Sequence, residues 1–211
     1  MRIEHADYSY EDNEASCTHE YLLPALLGMV GEISRGKSLR IVDLGCGNGY
    51  VSSKLAGQGH SVVGVDVSRK GIEIARESFP EVAYILSSIY DDVLVGEIGG
   101  KVDCVVALEV VEHLFYPKKL FEQSYRLLSN GGSLVVSTPY HGYLKNLAIS
   151  LTNGWDRHFG VDWDGGHIKF FSQKTLGLMA INAGFKKLRF TFAGRLPGFW
   201  KSMMLVAEKQ E

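Results

Sequence analysis

A glycine-rich turn between an apolar segment and a helical pattern constrains the fold of this chain more than any other feature. Residues 41–44 read Ile-Val-Asp-Leu, and glycine follows at three alternate positions, Gly45, Gly47 and Gly49. Glycine adopts backbone conformations that other residues avoid, and a ligand can approach its main chain closely because it has no Cβ. The pattern therefore predicts a strand, a ligand-binding turn and a helix in succession.

A second apolar segment ends on an acid, as a nucleotide-binding βαβ unit requires. Residues 61–65 are mostly apolar, and Asp66 follows them. A carboxylate in this place accepts hydrogen bonds from ribose hydroxyls. The dinucleotide fingerprint would need a third glycine at Tyr50, so a nicotinamide-dependent oxidoreductase is disfavoured. The alternative interpretation of Asp43 and Asp66 is that they are loop acids that cap helices.

Strand and helix patterns alternate along the chain, and this alternation predicts an α/β fold with a Rossmann-like, doubly wound, mostly parallel sheet. The seven predicted strands span residues 39–44, 61–66, 83–86, 102–108, 133–138, 185–193 and 200–209. The short connection that contains Pro197 and Gly198 predicts an antiparallel last strand.

Two local patterns carry further expectations. A helix is predicted from about Tyr21 to Ile33, and Pro24 is tolerable there only in the first turn, so no straight helix is expected before Tyr21. A later helix is expected to end at Asn130-Gly131-Gly132, because glycine commonly terminates helices.

Composition agrees with one domain that covers residues 1–211. The chain is 45% hydrophobic and has no linker rich in Pro, Gly and Ser, so it can bury one sizeable core. The formal net charge of −2 gives no general attraction to nucleic acid, and no nucleic-acid partner is expected.

The expected location is the cytoplasm. Three cysteines, an odd number without metal-ligand spacing, indicate reduced thiols. The polar, acidic first residues are unlike a signal peptide, and no apolar stretch is long enough to span a bilayer.

A second informative segment, residues 108–114, follows the predicted fourth strand. If it forms a helical turn, Glu109, Glu112 and His113 lie at i, i+3 and i+4 and project from one face. His167 stands before the late helix and can return above the same strand ends. These four side chains could bind a divalent cation such as Mg²⁺ or Mn²⁺. The alternatives are an acidic helix start with a packed histidine, or a metal-free site in which His113 or His167 is the general base.

These motifs resemble those of a known enzyme class. The pattern G-x-G-x-G after Asp43 resembles the first motif of class I S-adenosylmethionine-dependent methyltransferases. The segment E-x-x-E-H at 109–113 is similar to segments of two methyltransferase groups. One methylates hydroxyls of ubiquinone precursors, and the other methylates the terminal 2′-hydroxyl of small RNAs. In both groups a later histidine joins the segment around a divalent metal. The resemblance extends from Ile41 to Phe185.

The resemblance implies S-adenosyl-L-methionine as cofactor and S-adenosyl-L-homocysteine as product. Asp43 would reach the amino group of the cofactor, Asp66 its ribose and Ser88 the adenine region, although many relatives carry an acid at the position of Ser88. The implied cofactor-binding residues are Asp43, Gly45, Cys46, Gly47, Gly49, Asp66, Val67, Ser88, Ile89 and Leu108. The implied catalytic and metal-binding residues are Glu109, Glu112, His113 and His167.

The implied reaction is O-methylation of a small molecule, such as a catechol or a vicinal diol, with help from a divalent metal. The alternatives are a metal-independent N- or C-methyltransferase and a non-catalytic cofactor-binding protein. Residues 139–166 are expected to form a lid over the acceptor pocket. In the ubiquinone enzymes a comparable insertion is amphipathic and touches membranes, so the resemblance implies a lipophilic acceptor and peripheral membrane contact through residues 143–163. The alternative is that the aromatic residues of this segment pack on the edge of the sheet.

Overall fold

The computed structural model describes residues 10–92, 94–159 and 165–210, and a seven-stranded sheet forms its centre. The strands are β1 (Arg40–Leu44), β2 (Ser61–Asp66), β3 (Ala83–Leu86), β4 (Val102–Ala107), β5 (Leu128–Pro139), β6 (Lys186–Ala193) and β7 (Ser202–Glu208). Their order across the sheet is β3-β2-β1-β4-β5-β7-β6. Strands β1 to β5 pair in parallel, and β7 is antiparallel to both of its neighbours. The predicted fold class is confirmed.

Helices cover both faces of this sheet. They are α1 (His19–Ser34), α2 (Tyr50–Gly57), α3 (Arg69–Ser78), α4 (Leu94–Glu97), α5 (Lys118–Leu127), α6 (Tyr143–Leu151), α7 (Trp155–His158) and α8 (Gln173–Asn182). A short 3₁₀ turn, Val111–His113, follows β4. Within the described part of the chain, no helix combines the length and the apolar character that a membrane span requires.

The two faces of the sheet bury separate apolar clusters, because successive strand residues point to opposite sides. On β1, Ile41 packs with residues of α1, α2 and α3, whereas its neighbour Val42 packs with residues of α4, α5 and α8. Both side chains are fully buried. This two-sided burial explains why the strands read as nearly continuous apolar runs.

The predicted first helix is present, but the expected position of Pro24 in its first turn is wrong. Helix α1 begins at His19, which places Pro24 in its second turn. A proline there lacks the N–H that would bond the carbonyl one turn earlier. The first turn is held by other contacts: the N–H of Leu22 donates to the carbonyl of Thr18, and the His19 ring stacks on Tyr50 at 5.4 Å. Burial of an apolar face therefore outweighs the lost hydrogen bond.

The prediction that a helix ends at Asn130-Gly131-Gly132 is also wrong. Helix α5 ends at Leu127, and these three residues belong to β5. The N–H of Gly131 donates to the carbonyl of Lys209, and the N–H of Lys209 donates to the carbonyl of Gly132. The antiparallel partner thus extends the strand through a sequence that by itself favours a turn.

The strand order creates a crevice at one edge of the sheet. β1 pairs with β2 on one side and with β4 on the other, so the connections that leave β1 and β4 diverge toward opposite faces. In open α/β sheets, ligands bind at such a point, outside the carboxyl ends of the strands. The glycine turn after β1 and the segment after β4 both lie here.

Candidate active site

The glycine turn requires glycine for both conformation and space. Gly45 and Gly47 have φ values of 78° and 54°, in the left-handed region that glycine adopts readily. A Cβ on Gly45 would lie 2.4 Å from a methyl carbon of Val110, and one on Gly47 would lie 2.4 Å from the hydroxyl of Tyr10. The turn is therefore closely covered by the segment after β4 and by the N-terminal segment.

Asp66, at the end of β2, holds this turn in place. Its carboxylate accepts hydrogen bonds from the N–H of Gly47 and the N–H of Ser68, both at 2.8 Å. Ser68 in turn caps α3 by accepting from the N–H of Gly71. Asp66 thus has a structural role in the loops, although the residue that caps α3 is Ser68. Since each carboxylate oxygen accepts more than one hydrogen bond, this role is compatible with ribose binding.

Asp43, the acid of β1, is buried beneath the turn. The hydroxyl of Ser52 donates to its carboxylate at 2.6 Å, and only 2% of the residue is exposed. Burial raises the pKa of Asp43 to about 6. A positively charged amino group next to this carboxyl would favour its ionised form.

A cavity of about 650 Å³ is lined by nine of the ten predicted cofactor-binding residues, from Asp43 through Leu108. Gly49 is the exception: it precedes α2, and a Cβ there would meet the Tyr84 hydroxyl at 2.5 Å. Its role is therefore to allow close packing behind the turn. The assignment of these residues to the cofactor stays a prediction.

The N-terminal segment forms part of the same cavity, through contacts that the sequence patterns do not assign to particular residues. Residues 10–12 and 14–19 line it. The side-chain amide of Asn48 donates to the carbonyls of Asp12 and Glu14 and so ties this segment to the glycine turn. An asparagine within a glycine turn gives no sequence signal for such a contact. Tyr8, a second tyrosine of this segment, lies outside the described residues.

Three of the four expected metal ligands come together after β4. Potential ligand atoms of Glu112, His113 and His167 all lie within 4.8 Å of one another. The main chain brings them there, because the carbonyl of Glu112 accepts from the N–H groups of Ile168 and Lys169. The long segment between the 3₁₀ turn and α8 therefore returns above β4, as expected for His167.

The ring of His113 is oriented by two backbone carbonyls. Its Nδ1 lies 2.7 Å from the carbonyl oxygen of Gly165 and 3.2 Å from that of Gly166. Carbonyl oxygens only accept, so Nδ1 carries the proton and the neutral ring has its lone pair on Nε2. Metal-binding histidines are commonly held in this way.

The charge states of Glu112, His113 and His167 are suited to binding a cation. Glu112 is fully buried, and neither carboxylate oxygen has a hydrogen-bond partner among the described residues. Its nearest histidine nitrogen is Nε2 of His167, 4.0 Å from Oε1. Burial, followed by the nearby Glu109, raises the pKa of Glu112 well above its ordinary value. Burial lowers the pKa of His113, and burial together with His113 lowers the pKa of His167 to about 4.

Glu109 is placed differently from the expectation. The helical turn begins only at Val111, and Glu109 has a φ of 53°, so it does not share a helical face with Glu112 and His113. The hydroxyl of Ser137 donates to its carboxylate at 2.7 Å and that of Ser202 at 3.4 Å. Glu109 lines the cavity but falls outside the three-residue group. Burial raises the pKa of Glu109 to about 7.

The segment after β5 carries two helices, and its aromatic residues partly pack on one another. The ring of Phe159 stacks on Trp155 at 5.2 Å and meets Phe170 edge-on at 5.0 Å. The predicted apolar face of α6 is exposed: Tyr143 and Leu151 are each 78% exposed. Trp163, part of the predicted lid, lies outside the described residues.

The known proteins that are similar to this chain include ubiquinone biosynthesis O-methyltransferases. A ubiquinone biosynthesis O-methyltransferase of a Caulobacter species is 35% identical over 118 residues, which are 54% of this chain and 46% of the relative. The enzyme of that name from Nitrosomonas europaea is 33% identical over 132 residues, which are 60% and 55% of the two chains. The chain thus spans about half the length of the curated relatives that it matches.

Solved structures share the fold at low identity. Magnesium protoporphyrin IX methyltransferase from Synechocystis, with bound S-adenosylhomocysteine, has a TM-score of 0.64 at 21% identity, covering 90% of this chain and 81% of that one. A protein from Pyrococcus horikoshii has a TM-score of 0.72 at 19% identity, covering 95% of each chain. The model of the methyltransferase domain family matches residues 18–189. The chain therefore belongs to the methyltransferase domain family, and it shares the fold of the Synechocystis methyltransferase.

Proposed function

We propose that this protein is an S-adenosylmethionine-dependent methyltransferase, which transfers the methyl group of that cofactor to a hydroxyl of a small molecule. The acceptor carries two neighbouring hydroxyls, and a divalent cation assists the transfer. Catechols and vicinal diols are the acceptor classes. The observation that carries the proposal is the buried Glu112 carboxylate, which lacks a hydrogen-bond partner among the described residues and faces two neutral histidines. The names of the relatives from Caulobacter and Nitrosomonas europaea support an oxygen acceptor.

Glu112, His113 and His167 are the residues that would hold Mg²⁺ or Mn²⁺. A carboxylate oxygen and two imidazole nitrogens suit such an ion and leave positions for substrate oxygens. A bound divalent cation lowers the pKa of a coordinated hydroxyl and stabilises the negative charge that develops on its oxygen. Glu109 stands next to this group as a second carboxyl, oriented by Ser137 and Ser202.

The cofactor would lie along the glycine turn. Its sulfonium already activates the methyl group, so the protein has to orient the cofactor and the hydroxyl in line with each other. Asp66 would accept from the ribose, and Asp43 would pair with the amino group. Ser88 and Ile89, which line the same cavity after β3, would contact the adenine.

The expectation of a lipophilic acceptor is part of this proposal. Apolar residues of α6 are exposed, and they support peripheral membrane contact through residues 143–163. Residues 160–164 of this segment lie outside the described residues. The absence of a nucleic-acid partner and the cytoplasmic location stay predictions.

Methyl transfer from labelled S-adenosylmethionine to catechol tests the proposal. Wild-type protein should transfer the label with Mg²⁺ or Mn²⁺ and lose most of the activity in EDTA. His167→Ala should behave with Mg²⁺ as the wild type does in EDTA, whereas the control His60→Ala, on the connection before β2, should keep full activity. Equal transfer with and without metal would support the metal-independent alternative. Binding of S-adenosylhomocysteine without transfer to any acceptor would support a non-catalytic cofactor-binding protein.

A further inference from the structure

A second cavity, of about 730 Å³, is lined by basic residues. Arg157 and His158 line it from α7, and Arg195 lines it from the connection between β6 and β7. Among the described residues that line this cavity, none is acidic. Two guanidinium groups from distant parts of the sequence therefore face the same space.

These two arginines differ from other arginines of the surface. Arg126 and Arg189 form ion pairs with Asp92 and Glu32, at 3.5 and 2.7 Å. Within the described ranges, neither Arg157 nor Arg195 has a carboxylate within 4.0 Å or a side-chain hydrogen bond. A guanidinium group binds carboxylate and phosphate through two parallel hydrogen bonds, so a pair of them suits an oxyanion.

Lys145, on α6, is a third basic residue of this region. It is only 8% exposed, and its ammonium donates to the carbonyl of Tyr140 at 2.9 Å. Burial and then Arg195 lower the pKa of Lys145, while Glu109 raises it. Aromatic contacts join the wall of the cavity to the segment that carries His167: the ring of His158 meets Phe159 edge-on at 4.9 Å, and Phe159 meets Phe170 edge-on at 5.0 Å. The basic cavity therefore lies next to the segment that carries His167.

We propose that Arg157 and Arg195 bind an anionic group of the methyl acceptor, a carboxylate or a phosphate, while its hydroxyl lies at the cluster of Glu112, His113 and His167. The inference rests on the proposed function, since it places the acceptor at that cluster. It makes the acceptor class an acidic one: a hydroxylated molecule with an oxyanion at some distance from the reacting oxygen. The arginines then act as specificity residues, because a neutral analogue gains nothing from them.

The test compares two acceptors of the same shape and different charge. These are 3-(3,4-dihydroxyphenyl)propanoate and the corresponding neutral amide. We measure kcat/KM for methyl transfer to each with Mg²⁺, and we measure the binding of each to protein loaded with S-adenosylhomocysteine by titration calorimetry. The variants are Arg157→Gln and Arg195→Asn. Asparagine is chosen because Arg195 has a φ of 56°, which asparagine tolerates. Arg189→Gln, on the edge strand β6, is the matched control.

We expect wild-type protein to favour the acid over the amide by about tenfold or more, as for a charge-assisted hydrogen-bonding pair. Each cavity variant should lose most of this preference with little change toward the amide, while Arg189→Gln keeps it. Arg157→Lys should restore part of it. Equal values for acid and amide in the wild type, or a preference that both cavity variants retain, would overturn the inference.

Two further outcomes distinguish a failure of this inference from a failure of the proposed function. If the amide is methylated normally and the acid is not preferred, the proposed function stands and the inference fails. If neither compound is methylated, the proposed function fails, and calorimetry alone decides whether the arginines bind the acid.

Vesicles with and without phosphatidylglycerol distinguish a lipid headgroup from an anionic group of the acceptor. Vesicle binding by the wild type should not depend on Arg157 or Arg195. A loss of vesicle binding in the cavity variants, with the preference for the acid unchanged, would assign the arginines to lipid and overturn the inference.

Discussion

The carboxyl edge of the sheet presents two kinds of buried acid. On the side that we propose binds the cofactor (the cofactor side), Asp43 accepts a hydrogen bond from the Ser52 hydroxyl, and Asp66 accepts hydrogen bonds from two main-chain N–H groups. On the side that we propose binds the methyl acceptor (the acceptor side), Glu112 is buried more completely, and its carboxylate oxygens have no hydrogen-bond partner among the described residues. Hydrogen bonds within the chain satisfy the two aspartates, whereas a bound cation would provide the partner that Glu112 lacks.

This difference shows how the two sides are prepared for their ligands. A buried polar group without a partner lowers the stability of the fold, so a protein retains one where function needs it. The glycine turn is already fixed without a ligand, because Asp66 orients the N–H of Gly47. In the cluster of Glu112, His113 and His167, the buried carboxylate is instead an unfavourable feature that a bound cation would relieve. Substitutions that alter one side and leave the other in place can therefore test the contrast.

The largest effect is expected from Asp66→Ala. This substitution removes the acceptor of two N–H groups and the proposed acceptor of the ribose. Affinity for S-adenosylhomocysteine should fall by about 100-fold or more, as expected for the loss of several charge-assisted hydrogen bonds. Titration calorimetry measures it. The control is Asp92→Ala, which removes only an exposed ion pair with Arg126. Unchanged affinity in Asp66→Ala would exclude Asp66 from the cofactor site.

A smaller effect, dependent on pH, is expected from Asp43→Asn in the cofactor-free protein. Burial raises the pKa of Asp43 from 3.8 to about 6, so the folded state favours the protonated form. The resulting stability is fully present below pH 4 and is lost as the pH rises through 6. Asparagine does not ionise and can still accept from Ser52. The variant should therefore match the wild type near pH 4 and exceed its free energy of unfolding by about 3 kcal/mol at pH 8.

Urea unfolding at both pH values measures this difference, since Asp43 is the one titrating group that the variant lacks. A gap of the same size at pH 4 and pH 8 would show that Asp43 does not carry the shifted pKa.

On the acceptor side, Glu112→Met should have opposite effects on stability and on activity. Methionine has a similar shape and no polar atoms that need partners. In EDTA the free energy of unfolding should rise by about 1–2 kcal/mol, because an unsatisfied buried group is removed. Methyl transfer should be lost, together with the increase in melting temperature that Mg²⁺ gives the wild type. A destabilised variant would mean that the chain itself satisfies Glu112, and the contrast with Asp66 would disappear.

The smallest effect is expected from Asn48→Ala, which breaks the link between the glycine turn and the N-terminal segment. Two hydrogen bonds from its side-chain amide, at 2.9 and 3.0 Å, are lost. The dissociation rate of S-adenosylhomocysteine, measured by stopped-flow displacement, should rise about threefold to tenfold, as for the loss of about 1 kcal/mol. Glu112→Met should leave this rate unchanged. An unchanged rate in Asn48→Ala would separate the N-terminal segment from cofactor release.

Sequence patterns predict the cofactor side better than the acceptor side, and the reason is local geometry. The turn at Gly45 and Gly47 and the acid at the end of β2 follow from short-range rules for strands and glycines. The place of Glu109 does not, because its left-handed backbone and its bonds to Ser137 and Ser202 depend on β5 and β7. The cavity that Arg157 and Arg195 share also depends on tertiary structure, since the two residues are far apart in the sequence. Pro24 shows the same limit, because packing overrides its local preference.

The position of β7 also has a consequence for biosynthesis. This strand lies between β5 and β6, and among the described strands β6 pairs only with β7. A nascent chain that ends before Ser202 therefore exposes the unpaired edge of β5, and the residues of β6 have no place in the sheet. Exposed strand edges recruit other chains. During translation the protein should be prone to aggregation, and dependent on chaperones, until Ser202–Glu208 leaves the ribosomal tunnel. Insertion of this one strand then closes the sheet between β5 and β6 in a single step.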